Sequence, residues 1–162
     1  MHVLVVDDHP LYREGVKALL WGLDASTLAT GAANLEEALL TLKVDTRFDL
    51  VLLDLNLPDA SGLSALAAVK ATVDDVPVVI LSAEEDPLRM LQAVESGAAG
   101  YIPKTTDQGV TVKALQLVMA HGIYLPPAAL RHSKMAASPA DGTKPELSPR
   151  QRDVLKRLLQ GK

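Results

Sequence analysis

Residues 49–54 read Asp-Leu-Val-Leu-Leu-Asp, an unbroken aliphatic run of strand length that closes on an acid. Short apolar runs bounded by polar or turn residues read as buried strands. Three further runs have the same form: Val3–Val6 closes on Asp7 and Asp8, Val76–Leu81 on Ser82, and Gly100–Pro103 on Lys104. Helix-like stretches separate them. Strands alternating with amphipathic helices make an α/β, doubly wound parallel sheet, and ligands of such sheets sit in the crevice beyond the carboxyl ends of the strands. Asp7, Asp8, Asp54, Ser82 and Lys104 are therefore expected on one rim.

The segments between the runs support this order. A first helix is expected from Pro10 to Leu23, with Tyr12, Gly15, Val16, Leu19, Leu20 and Leu23 at helical spacing and proline in its first turn. A second carries Leu35, Ala38, Leu39 and Leu42, and between the two the stretch Thr27–Ala32 is a weaker strand. A third helix should begin near Ser61 after a loop from Pro58 to Gly62, a fourth near Pro87, and a fifth should run from Gln108 to His121. Pro103 closes the last strand, and because proline cannot donate to a central ladder, that strand is expected at an edge. The fifth helix shows two apolar stripes, one through Val112, Leu115 and Met119 and one through Val110, Ala114, Leu117 and Val118. One stripe would bury against the sheet and leave the other for a partner.

Composition narrows the class. The chain has 162 residues, 48% of them hydrophobic but only 3% aromatic, so its core must be aliphatic. It has no cysteine, which excludes disulfides and thiolate metal sites and suits a reducing compartment. No apolar stretch approaches the roughly 18 residues needed to cross a bilayer. The first strand starts almost at Met1, which leaves no room for a signal peptide, and the expected location is cytoplasmic. Charge is unevenly divided. Residues 1–125 carry 8 Lys+Arg against 17 Asp+Glu, a net of −9, whereas residues 126–162 carry 8 against 3, a net of +5. An acidic module joined to a basic one suggests different partners, and the basic end suits nucleic acid.

From residue 126 to 145 the pattern dissolves into Pro, Ala, Ser, Lys and Gly and reads as a flexible linker. A helix then opens at Leu147, with Ser148 as N-cap, Pro149 in the first turn, Gln151 closing a capping box, and Val154, Leu155, Leu158 and Leu159 as its apolar face. One such helix is marginal alone. Residues 146–162 are accordingly expected to open a second domain that this chain truncates.

The rim residues suggest phosphoryl chemistry. Three carboxylates brought together repel one another, so they should share a proton or bind a cation. Without cysteine, the ligands are hard oxygens that suit Mg²⁺ or Mn²⁺. Ser82 adds a hydroxyl donor and Lys104 a point cation, which together could hold a phosphoryl group on a nucleophilic Asp54. Each residue also has a local role open to it: Asp7 or Asp8 could cap the first helix, Asp54 could be a loop carboxylate, Ser82 could cap the next helix, and Lys104 could be solvated. Their joint occurrence at successive strand ends favours a site.

These residues sit in motifs that resemble one family. Val-Val-Asp-Asp-His-Pro at 5–10, Asp-Leu-Val-Leu-Leu-Asp-Leu-Asn-Leu-Pro-Asp-Ala-Ser-Gly at 49–62, Val-Val-Ile-Leu-Ser-Ala at 78–83 and Gly-Tyr-Ile-Pro-Lys at 100–104 are similar to those of a bacterial two-component response regulator receiver domain over residues 1–125. The Asp-Asp-His-Pro opening and residues 147–162 resemble the NarL/FixJ subfamily, whose receivers precede a LuxR-type helix-turn-helix. The resemblance implies a flavodoxin-like, CheY-like (βα)5 fold with strand order 2-1-3-4-5. It also implies that a sensor histidine kinase phosphorylates Asp54, with Mg²⁺ held by Asp8, Asp54 and the Asn56 main-chain carbonyl, and by Asp7 through water. Ser82 and Lys104 would contact the phosphoryl oxygens, and Tyr101 would be a switch aromatic that turns inward with Ser82. Ala83, being small, would leave access to Asp54. The implied output is DNA binding by the full-length C-terminal domain, with a homodimer possible through the fourth helix, fifth strand and fifth helix.

Two positions depart from or vary within the family. Thr105, not proline, follows Lys104, so a trans bond is expected there. Asn56 and Glu84 stand where the family varies and tunes dephosphorylation. Competing functions are an interaction module independent of phosphorylation and an aspartyl-phosphate phosphatase. The latter usually needs a second acid two residues beyond its nucleophile, where this chain has Asn56.

Overall fold

The structure, a computed structural model, describes residues 1–45 and 47–136. Five parallel strands form the sheet: β1 (His2–Val6), β2 (Leu28–Ala32), β3 (Leu50–Asp54), β6 (Val78–Ser82) and β7 (Gly100–Pro103). Their order is β2-β1-β3-β6-β7, which is the expected 2-1-3-4-5 once a small hairpin after β3 is numbered. That hairpin, β4 (Asn56–Leu57) against β5 (Ala60–Ser61), occupies much of the loop expected from Pro58 to Gly62. It delays the third helix, expected near Ser61, to Ser64.

Helices cover both faces. On one lie α1 (Pro10–Leu23) and α5 (Gln108–Met119), and on the other α2 (Leu35–Val44), α3 (Ser64–Thr72) and α4 (Pro87–Glu95). Strand alternation divides the core between them. Val3, Val5, Leu50, Leu52, Val79 and Leu81 pack with Leu20, Leu115 and Val118. Leu4, Val6, Val51, Leu53, Val78 and Ile80 pack with Leu42, Leu66, Val69 and Met90. Both faces of β3 and β6 are buried throughout, which is why those runs are continuous rather than alternating.

Local chemistry sets the helix ends. Asn34 caps α2 by accepting from the Glu37 N–H at 2.8 Å. Asp59, in the hairpin turn, accepts from the Leu35 and Glu36 N–H groups at 2.9 Å each, and these bonds hold its carboxyl below the usual range. Asp86 and Asp107 cap α4 and α5. The fifth helix ends two residues before the expected His121. His121 adopts φ 68°, its N–H bonds to Val118 O and that of Gly122 to Leu117 O, and this left-handed closure stops the helix. Neither apolar stripe of α5 buries whole: Ala114, Leu115 and Val118, drawn from both, face the sheet, while Val110 is exposed.

The main difference from expectation follows α5. The linker expected from residue 126 begins instead as a helix, α6 (Pro127–Ala136), for which the sequence lacks a clear apolar period. Pro126 supplies the start, accepting from the Ala129 and Leu130 N–H groups, and Ala129 is fully buried in the core beside α4 while Leu130 is partly buried. Just before α6, Tyr124 forms a parallel bridge with Gly100 along the outer edge of β7. The edge strand inferred from Pro103 is therefore at the end of the sheet, and its outer edge is partly covered. The helix expected within residues 146–162 lies outside the described residues.

Truncating Ile80, fully buried in β6, to alanine should cost about 2–5 kcal/mol, read as a lower urea midpoint at unchanged m-value. Ala129→Glu should undock α6, raising amide exchange in residues 127–132 by about tenfold or more while sheet amides keep their protection. Unchanged exchange would show that α6 does not depend on this contact.

Candidate functional site

The strand order reverses around β1, and the crevice between the carboxyl ends of β1 and β3 is where such sheets place their sites. Asp7 follows the last residue of β1 and Asp54 is the last residue of β3. Each is 1% exposed. Lys104, directly after β7, reaches back across β6: its Nζ lies 2.7 Å from Asp7 Oδ2 and 3.1 Å from Asp54 Oδ2. The same ammonium lies 4.4 Å above the ring centre of Tyr12, a cation–π contact. Burial alone would push the Lys104 ammonium down in pKa, but its hydrogen bonds and charge contacts with Asp7 and Asp54 outweigh that and raise it. Lys104 is thus a partly buried counter-charge and not a solvated surface lysine.

The remaining rim residues have specific partners. The other oxygen of Asp54, Oδ1, accepts from the Asn56 N–H at 3.0 Å, so the carboxylate is oriented from two sides. Asp7 Oδ1 accepts from the His9 N–H at 2.9 Å. The first helix has no side-chain cap, so neither Asp7 nor Asp8 plays the capping role open to it. Ser82, fully buried at the end of β6, accepts the Glu84 N–H on its Oγ at 3.1 Å, while Asp86 takes the cap of α4. Tyr101 is fully buried and donates its hydroxyl to the Glu84 carbonyl at 2.7 Å. Burial raises its pKa, with a hydrogen bond from the Ser82 side acting in the opposite direction. Ala83 is exposed at the mouth of the site. The Lys104 N–H bonds to Ser82 O at 2.7 Å, which ties β7 to β6 at the rim, and the described residues include no cis peptide, so the bond to Thr105 is trans.

The site brings together Asp7, Asp8, Asp54, Ser82 and Lys104, with Asn56 and Tyr101 beside them. It also includes residues that sequence reading missed. His9 Nδ1 lies 3.0 Å from both Asp7 Oδ1 and Asp8 Oδ1, and Arg13 donates to Asp7 O at 2.6 Å. His9 stood in the quoted 5–10 motif, which was the available signal. Tyr12 was read only as part of an apolar helix face, and periodicity does not show a ring used as a platform for a cation. Trp21 lies at the far end of α1, bonded to Thr27 O, away from the rim.

One ligand atom each from Asp7, Asp8, His9 and Asp54 lies within 4.8 Å of the others. Three carboxylates face one ammonium here, with the Arg13 guanidinium held at the Asp7 carbonyl, so the carboxylate oxygens outnumber the cations set against them. Asp7 Oδ2, although ion-paired to Lys104, and Asp8 Oδ1 are buried without a hydrogen-bond donor aligned on them. Hard, acceptor-only oxygens with spare lone pairs and an excess of carboxylates fit a divalent cation such as Mg²⁺ or Mn²⁺. Beside this pocket, between α1 and α5, runs a cleft of about 720 Å³ lined by Leu11, Tyr12, Val16, Ala83, Lys104 and Thr111 among others.

Comparison with known proteins bears on what this arrangement is for. Residues 3–116 match the response regulator receiver domain. The glycerol metabolism activator of Pseudomonas putida is 34% identical over 167 residues, covering 98% of this chain and 76% of that protein. The nitrate/nitrite response regulator NarL of Escherichia coli K12 is 31% identical over 166 residues, with 98% and 75% covered. Among solved structures, a LuxR family DNA-binding response regulator from Silicibacter pomeroyi superposes with a TM-score of 0.70 at 35% identity, covering 79% of this chain and 98% of that one. The chain belongs to the response regulator receiver family, among the NarL/LuxR-type regulators of two-component signalling and transcription.

Proposed function

We propose that Asp54 is the phosphoacceptor of this receiver, taking a phosphoryl group from a sensor histidine kinase and thereby switching a DNA-binding output carried by the full-length protein. The observation that supports this most is Lys104 Nζ held between Asp7 Oδ2 and Asp54 Oδ2 inside the rim. A lysine so placed already neutralises part of the charge on the nucleophile and remains beside it when phosphoryl oxygens arrive.

In the transfer, an Asp54 oxygen forms a bond to phosphorus as the bond from phosphorus to the donor's imidazole nitrogen breaks, and that nitrogen keeps the electron pair. The Asn56 N–H and the Lys104 ammonium orient the attacking carboxylate. Ser82 accepts through its oxygen from Glu84, and its hydroxyl proton, which faces the Tyr101 phenol, would turn to donate to a phosphoryl oxygen. Asp7, Asp8, Asp54 and the Asn56 main-chain carbonyl would hold Mg²⁺ or Mn²⁺. Such an ion would supply positive charge against the negative charge of the incoming phosphoryl oxygens. The protein is accordingly a regulator that catalyses only its own modification and its reversal, not an enzyme acting on other substrates.

The switch lies in Ser82 and Tyr101, both tied to Glu84 and hence to the loop that starts α4. A shift in that loop moves a two-state equilibrium between surfaces. We place the receiver in residues 1–125, with α6 following directly, and the DNA-binding output beyond it, in the basic part of the chain. A homodimer through α4, β7 and α5 would meet α6 on α4 and Tyr124 along β7, so this mode requires α6 to move. Among the described residues no helix is long and apolar enough to cross a membrane, and we assign the protein to the cytoplasm on its family.

Asp54→Asn should abolish the single phosphoryl adduct formed with acetyl phosphate and Mg²⁺, measured by intact mass; retained labelling would move the nucleophile elsewhere. Asp8→Asn should weaken Mg²⁺ binding by about tenfold or more in calorimetric titration, in line with loss of a charged ligand. Unchanged affinity would remove Asp8 from the ion site.

A further inference from the structure

Arg89, in the first turn of α4, lies outside the acidic rim yet joins the two loops that flank it. Its Nε is 3.5 Å from Glu84 Oε2. The far end of its guanidinium lies over Gly62, with Nη1 3.3 Å and Cζ 4.0 Å from the position a Cβ would take there. Gly62, at φ 58°, turns the chain out of the hairpin that follows Asp54. One planar side chain thus spans from the loop after β6 to the turn after β5.

Glu84 is the point that Arg89 holds, and it is already tied to both switch residues. Its N–H bonds to Ser82 Oγ, its carbonyl accepts the Tyr101 hydroxyl, and its carboxylate faces Arg89. The Arg89 charge also reaches the Tyr101 phenol, acting there against Glu84 and Asp86. A lysine could pair with Glu84, but only a guanidinium can do so through Nε while its Nη1 covers Gly62. Glycine at 62 permits both the left-handed turn and this close approach.

We propose that Arg89 is a positioning residue of the phosphorylation switch: clasped between Glu84 and the Gly62 turn, it holds the loop after β6 in the arrangement that engages Ser82 and the buried Tyr101. The inference rests on the reading of Asp54 as phosphoacceptor. A site that is organised in only part of the molecules binds its ligand more weakly by that fraction. Arg89 therefore raises the affinity of the site for a phosphoryl group without touching the group itself.

The test is the apparent affinity of the full 162-residue chain for beryllofluoride in the presence of Mg²⁺, with the Ser82 and Tyr101 amide signals followed by NMR. Arg89→Gln should weaken affinity by about two- to fivefold, the range open to a half-exposed ion pair, and should shift both amide signals before any ligand is added. Arg89→Lys, which keeps a cation facing Glu84 but has no fork to cover Gly62, should recover part of the affinity, whereas a general loss of packing would not be rescued. If the unaltered chain fails to bind beryllofluoride, the phosphoacceptor reading falls and this inference with it. If it binds and Arg89→Gln binds equally well, Arg89 is a surface residue and the clasp alone is refuted. Loss in Arg89→Gln with no recovery in Arg89→Lys also overturns the ion-pair clasp.

Discussion

Two buried carboxylates, Asp7 and Asp54, end adjacent strands, and the Lys104 ammonium between them makes that arrangement tolerable. At an effective dielectric of about 20, carboxylates closer than 4.8 Å repel by roughly 3.5 kcal/mol or more. On the same scale each contact of Lys104, at 2.7 and 3.1 Å, attracts by about 5–6 kcal/mol. Attraction wins, but desolvation of three charged groups offsets much of it. A pair of apolar residues would suit stability better. The retained charges are those of a site prepared for a ligand with complementary charge.

The rest of the fold holds that group in place. Register between β1 and β3 aligns Val6 with Leu53, which brings Asp7 and Asp54 to the same level of the rim. Lys104 comes from β7 and crosses β6 to reach them, with its main chain fastened to Ser82. Tyr12 on α1 lies against the ammonium, and Asp59 in the hairpin after Asp54 ties that loop to the start of α2. Each loop at the rim is therefore anchored to a rigid element, as a site that must keep sub-ångström geometry requires. The opposite faces of the strands are filled by aliphatic side chains, so the sheet is stiff where the chemistry sits.

From the rim a continuous path leads to the far side of α4. Ser82 and Tyr101 both bond to Glu84, Glu84 lies two residues before the Asp86 cap of α4, and α4 packs against α6. Among the described residues, this path leads a change at Asp54 to a surface where α4 meets α6, at the start of the basic part of the chain. Coverage of α4 by α6, and of the β7 edge by Tyr124, makes that surface occupied rather than open.

The sequence by itself determined the fold and the cast of the site. Runs buried on both faces, such as Leu50–Leu53, have no polar interruption, and each ends where the strand leaves the sheet, so Asp54, Ser82 and Lys104 could be read as rim residues from local pattern alone. Capping was less legible: the sequence offered Ser82 as the cap of the fourth helix, and the structure gives that role to Asp86. Tertiary structure decided what depends on distant partners. The use of Tyr12 as a platform, the placing of His9 between Asp7 and Asp8, the span of Arg89 to Gly62 and the helix at 127–136 all arise from contacts between segments far apart in the chain or from side-chain directions that periodicity does not encode. Ala129 shows the reason most simply: alanine has no strong pattern of its own, and only the space beside α4 makes it core.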